Sequence, residues 1–218
     1  MLQPARHARR LRRDAAALGL PAPAQADCER TLAESAAAAF GAGDGIVRLE
    51  WRGVRLAARP RPLGEERETW RAMLASTVHP GRAVTAGVKG TDWPHVERAR
   101  EEARAAGVDE AILLDPEGRV VEGARSNLVI VLAGGATVTP PLARGAVAGL
   151  AREIVLEGAP EIRESDLGRG ELLAAREVVA TNAVRGARPV VAIDGVALGD
   201  GGPGALSCRL ADLLANAE

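Results

Sequence analysis

A chain of 218 residues can bury a substantial core, in one large domain or two modest ones, which excludes a peptide-like role. Apolar residues make up 47% and charged residues 26%, with a formal net charge of -1, a balance that excludes disorder and offers no electrostatic basis for nucleic-acid binding. Cys28 and Cys208 are not close-spaced and have no metal-ligand spacing with the three histidines, so no metal is expected and a reduced, cytoplasmic setting fits.

The basic N-terminal stretch lacks a following apolar core of signal-peptide length, and no run approaches a membrane span. Leu11, Ala15 and Leu18 at helical spacing predict a helix over residues 5–18. A second helix is predicted through the alanine-rich stretch to Phe40, with Asp27 as its cap and Gly41 to Gly45 as its end. GIVRLEWRGVRLAARP alternates apolar and polar residues on both sides of Arg52-Gly53, which reads as a hairpin. Arg59 to Gly64 carries two prolines and reads as a linker, so the predicted domains are residues 1–58 and 66–218 with residues 59–65 between them.

Past the linker, Thr91 or Asp92 is placed to cap a helix with Pro94 in its first turn and its end near Gly107. EAILLD, GRVVEG, SNLVIVL and ATVTP then predict short strands of a mostly antiparallel sheet, with Gly134-Gly135 as a hairpin turn. Helices are expected over residues 149–157 and 166–175, then strands EVVATN and VVAIDG, then an amphipathic C-terminal helix through Leu206, Leu210, Leu213 and Leu214. Helices and strands interleave without a regular βαβ rhythm, so the fold class is α+β.

Of the 28 basic residues, Lys89 is the only lysine and the rest are arginine. Arginine replaces lysine at surfaces and in ion pairs but stays protonated, so it cannot offer a neutral amine for imine formation. An arginine-biased coding sequence explains the count equally well until the context is read. That context, TAGVKGTDWPHV, places Lys89 at a strand end before a helix, where partial desolvation lowers an amine's pKa.

Five ordered motifs follow: Lys89 itself, EGARSN (Glu122 to Asn127), TPP (Thr139 to Pro141), GLAR (Gly149 to Arg152) and TNAVRGARPV (Thr181 to Val190). This succession closely resembles the class IV pyridoxal-phosphate enzymes over nearly the whole chain. The resemblance implies a small N-terminal α/β domain, a larger mixed-sheet domain, pyridoxal 5'-phosphate as cofactor and Lys89 as the Schiff-base and proton-transfer residue. Glu122 is implied to face the pyridine nitrogen and keep the ring protonated; without the motif it reads as a solvated strand-end carboxylate. HARRL (His7 to Leu11) is similar to the family's H-x-x-R-L helix, which implies that Arg10 clamps the cofactor phosphate, although alone it reads as a surface charge. The amides of Leu150 and Ala151 are implied to receive phosphate at a helix start. Ala151 stands where the family has threonine, so one hydroxyl contact is missing. Asn182 and Ala183 fall at a second phosphate-contacting segment, and Asn127 reads as structural.

Within the family, TNAVRGARPV is most similar to 4-amino-4-deoxychorismate lyase. That resemblance implies conversion of 4-amino-4-deoxychorismate to 4-aminobenzoate and pyruvate, a step of folate formation, by a homodimer. The alternatives are a transaminase of branched-chain or D-amino acids and a weakly active protein of this fold. The chain has no tyrosine to meet the cofactor's phenolic oxygen. His7 lies six residues after Met1, which implies that the first strands of the small domain are missing, that activity is weak, and that the start codon lies upstream.

Overall fold

The computed structural model describes residues 3–81, 87–91 and 93–217. The chain divides into two compact units, one ending at Glu66 and the other running from Arg67 to Ala217.

In the first unit, α1 (Pro4–Ala17) starts with proline in its first turn, where the missing N–H breaks no helical bond. It buries Ala8, Asp14 and Ala15. α2 (Gln25–Phe40) ends at Gly41, whose φ of 57° suits glycine. Asp27 is not its cap: Ala24 occupies that position, and Asp27 lies inside the first turn, where it accepts from Arg30 Nη2 at 2.6 Å. Antiparallel β1 (Gly45–Trp51) and β2 (Leu56–Pro62) follow, in register from Gly45 against Pro62 to Trp51 against Leu56. Between them Gly53 has a φ of 80°.

The hairpin corrects the linker reading, since Pro60 and Pro62 both sit in β2 opposite Val47 and Gly45. Two prolines two residues apart turn their nitrogens to the same side, and in a two-stranded ribbon that side needs no donors. Ladder pairing therefore survives, and residues 63–69 are the segment without strand or helix.

The second unit is built on one mixed sheet. Its strands are β3 (Trp70–Leu74), β4 (Glu110–Leu114), β5 (Val120–Gly123), β6 (Asn127–Val131), β7 (Thr137–Thr139), β8 (Arg163–Glu164), β9 (Glu177–Asn182), β10 (Gly186–Ile193) and β11 (Val196–Ala197), with spatial order β5-β4-β3-β10-β9-β6-β7-β8 and β11 on β10. The sheet is mostly antiparallel, as expected, with parallel pairings where β3 runs between β4 and β10 and where β7 meets β8 at the edge. Sequence reading passed over β3 because Arg71 interrupts a five-residue run, yet Trp70 and Ala72 on its other face are fully buried.

α3 (Pro94–Ala105) buries Ala99 and Ala103 against Ala111 and Leu113 of β4. Its N-cap is Trp93 with no side-chain cap, so Thr91 does not cap it, and Asp92 lies outside the described residues. α4 (Leu150–Gly158) and α6 (Ala205–Ala215) cover one face of β6 and β9, where Val129 and Val179 meet Val155, Leu206 and Leu210. Strand alternation sends Leu128, Ile130, Val178 and Ala180 to the opposite face, into a core with Trp70, Ile112 and Ile193. Each fully buried leucine there contributes about 2 kcal/mol. The helix expected over residues 166–175 shortens to α5 (Arg169–Leu173), because Asp166 binds Arg144 and the Leu167 carbonyl accepts from Val120 N at 2.9 Å. Among the described residues no helix is long and apolar enough to cross a membrane.

Candidate active site

The site is organised around one peptide. A single 3-10 turn (Leu142–Arg144) ends at Gly145, and Arg144 anchors it by reaching Asp115 at 3.1 Å, Glu117 at 2.5 Å and Asp166. From there residues 146–148 run extended beside Gly87: Gly87 N donates to Ala146 O and Ala148 N to Gly87 O, each at 3.0 Å, in a parallel bridge to Val147. Two residues beyond Gly87, Lys89 is exposed, while Val88 is buried.

On the other side, the end of β5 and the start of β6 hold Val147 at both polar ends. Val147 N donates to Glu122 Oε2 at 2.9 Å, and Asn127 Nδ2 donates to Val147 O at 2.8 Å. Asn127 Nδ2 also lies 3.5 Å from Glu122 Oε2. Two residues later α4 begins at Gly149, with no capping side chain, so the first-turn amides of Leu150 and Ala151 present the positive end of the helix. A Cβ at Gly149 would stand 2.1 Å from Asn127 Oδ1, so only glycine lets the helix start this close to Asn127. Ala151 packs its methyl into the α4 and α6 core.

Asn127 pairs with Thr181, which brings the end of β9 to the same place. Asn182 Oδ1 accepts from Val184 N at 2.9 Å and Arg185 N at 2.8 Å, so this oxygen builds the β9–β10 turn in which Ala183 sits half-buried. Arg10 lies half-buried on α1, in the other unit.

Burial pushes the Glu122 carboxyl up to about 7. The Val147 amide and the Lys89 ammonium pull against that shift, while Glu110 adds to it and Arg100 opposes it. Sequence reading missed His79, which is 1% exposed and has Nε2 3.9 Å from Glu122 Oε1. The available signal was that it is one of three histidines, just before Pro80-Gly81. It also assigned Asn127 to structure in general, when the side chain specifically joins Glu122 to the segment entering α4.

The chain's sole lysine thus acts electrostatically on a buried carboxylate, in the same unit as an uncapped helix start. Residues 1–193 match the family model described as amino-transferase class IV. The chain belongs to that family. The chain is 33% identical over 135 residues to the branched-chain-amino-acid aminotransferase of Escherichia coli strain K12, a match covering 60% of this chain and 43% of that protein. It spans about two fifths of the length of the curated relatives it matches. Among solved structures, the branched-chain aminotransferase from Thermoproteus uzoniensis superposes with a TM-score of 0.83 at 29% identity, over 99% of this chain and 80% of that one. An aminotransferase from Brucella abortus bound to the cofactor PLP gives 0.77 at 25% identity, over 95% and 81%.

Class IV aminotransferases use pyridoxal phosphate, and the residues present fit that group by their donor chemistry. Glu122 is a buried carboxylate suited to accept from a ring N–H, Lys89 a primary amine, and the α4 start a set of backbone donors without a side-chain cap.

Proposed function

We propose that this chain is a pyridoxal-phosphate-dependent aminotransferase, with Lys89 supplying the amine that bonds the cofactor aldehyde. When bound, the cofactor supplies an electron-withdrawing ring that stabilises negative charge at a substrate α-carbon. Glu122 holds a proton on the ring nitrogen, and its burial makes that ionic contact strong. Lys89 would hold the cofactor through its amine, and the same amine, when free, would move the proton at the substrate α-carbon. The amides of Leu150 and Ala151 receive the phosphate, the turn at Asn182 and Ala183 contributes a second contact, and Arg10 adds a charged fork.

The observation that carries this reading is the Val147 peptide, held by Glu122 and Asn127 on one side and bridged to the Gly87–Lys89 segment on the other. One rigid element thereby links the amine, the ring-nitrogen partner and the phosphate end. The aminotransferase reaction is favoured over other chemistry by relatives at 33% and 36% identity that carry that name. A second reading, 4-amino-4-deoxychorismate lyase, is favoured by Thr181 to Val190, and it ends in 4-aminobenzoate and pyruvate. In either case we take the acting species to be a cytoplasmic homodimer with a small-molecule substrate.

One experiment separates the two. The purified protein is given pyridoxal phosphate with, in one arm, a branched-chain or D-amino acid and a 2-oxoacid, and in the other, aminodeoxychorismate. A new amino acid formed from the 2-oxoacid supports the aminotransferase, and 4-aminobenzoate supports the lyase. Neither product, with cofactor bound through Lys89, overturns both substrate assignments.

A further inference from the structure

We propose that His79 is a positioning residue for Glu122: its Nε2–H donates to Oε1 of the carboxylate and holds it ionised and aimed at the cofactor ring nitrogen. The last clause rests on the functional reading above, while the contact itself does not.

The tautomer follows from the geometry. His79 Nδ1 accepts from Gly81 N at 3.0 Å, so a neutral ring carries its hydrogen on Nε2. That nitrogen is buried, has no hydrogen-bond partner among the described residues, and lies 3.9 Å from Glu122 Oε1. Val147 and Asn127 both use the other oxygen, Oε2. An orphaned buried donor beside a carboxylate oxygen is unfavourable, and an approach of about 1 Å closes the bond.

The ring has little room to turn elsewhere. His79 N donates to Leu114 O at 2.8 Å, and the His95 ring stands edge-on to His79 with centroids 4.8 Å apart. Gly145 covers the imidazole: a Cβ there would come within 2.7 Å of His79 Cε1 and 2.3 Å of Gly81 O, and its φ of 110° excludes other residues without strain. A glycine at this point reads as an accommodation of the imidazole.

His79 acts as a neutral donor. Burial pushes its pKa down to about 4, the neighbouring His95 adds to that shift, and Asp115 opposes it. Near pH 7 it therefore lowers the proton affinity of Glu122 by hydrogen bonding rather than by charge. Among the described residues the charged groups acting on Glu122 are Lys89, Glu110 and Arg100, so its titration must be read at the residue itself.

The test uses the full chain without added cofactor, with 15N signals of His79 and 13C carboxyl signals of Glu122 followed against pH. The expected result is an Nε2-protonated tautomer whose Nε2 signal moves as Glu122 titrates. His79→Phe should raise the Glu122 midpoint by about one pH unit, the value of one hydrogen bond, and His79→Gln, which keeps an N–H, should restore most of it. With cofactor bound, His79→Phe should lower kcat about tenfold at unchanged KM, with recovery in His79→Gln. An Nδ1-protonated ring, or a Glu122 midpoint unmoved in His79→Phe, overturns the proposal. Should the Phe variant not fold, the coupled titration of the wild-type pair decides, and its absence overturns the proposal equally. Because the titration needs no cofactor, a coupled pair in a chain that binds no pyridoxal phosphate would sink the functional reading alone.

Discussion

Glu110 and Glu122 lie on neighbouring strands, are 1% and 4% exposed, and are both pushed up to about 7 chiefly by burial. They differ in how their oxygens are used. Glu110 closes on local partners: Oε2 accepts from Ser126 Oγ at 2.6 Å and Oε1 from Ala111 N at 3.0 Å. Glu122 spends Oε2 on Val147 and Asn127 and leaves Oε1 facing His79 at a distance longer than a hydrogen bond. Burial alone thus does not mark a functional carboxylate. The distinguishing feature is an oxygen that faces a buried imidazole rather than a close local donor, on a carboxylate that the chain's only lysine acts on electrostatically.

The widest separation of the two carboxylates comes from removing that lysine. Lys89→Ala should abolish the visible absorbance of covalently held cofactor, because no other lysine exists, and borohydride reduction with peptide mapping should place the cofactor at Lys89 in the wild type. Label on the N-terminal amine instead would overturn the assignment. Glu122→Gln should keep the cofactor but lower kcat on the order of a hundredfold, since an amide no longer holds the ring nitrogen protonated. Glu110→Gln should leave kcat within about threefold; equal losses in both variants would erase the distinction.

Arg10→Ala should weaken cofactor retention by about tenfold to a hundredfold, the loss of one charge-assisted phosphate contact of roughly 1.5–3 kcal/mol. Equilibrium dialysis measures it, and an unchanged affinity would mean that Arg10 does not hold the phosphate. Gly149→Ala should reduce retention by a smaller factor, about tenfold, by forcing Asn127 away from the α4 start.

The smallest effect is on the pH dependence of stability. The folded pKa of Glu110 lies above its usual 4.5, at about 7. The folded state therefore binds more protons than the unfolded state between those values, and stability falls as pH rises from about 4.5 to 7. Glu110→Gln should flatten that fall in denaturant titrations. An unchanged slope would mean that Glu110 is ionised in the fold despite its burial.

Much of this was legible beforehand. Helical spacing placed α1, alternation placed the β1–β2 hairpin, and short apolar runs placed β4, β5, β6 and β9, which are buried on both faces. Pro60 and Pro62 misled because proline's effect depends on whether its nitrogen faces a partner, which only the finished ribbon defines. β3 was missed because a five-residue parallel strand carries no turn signal of its own.

The sequence by itself determined the chemical inventory: one amine at Lys89, a carboxylate at Glu122, a helix start at Gly149 and the α+β class, since these depend on residue type and local pattern. The tertiary structure alone decided that Glu122 and Asn127 hold opposite ends of the Val147 peptide, that Gly87 flanks it, and that His79 stands behind the carboxylate. Those contacts join segments 20 to 60 residues apart, so they follow from how strands pair and loops close on them, and no local pattern records that.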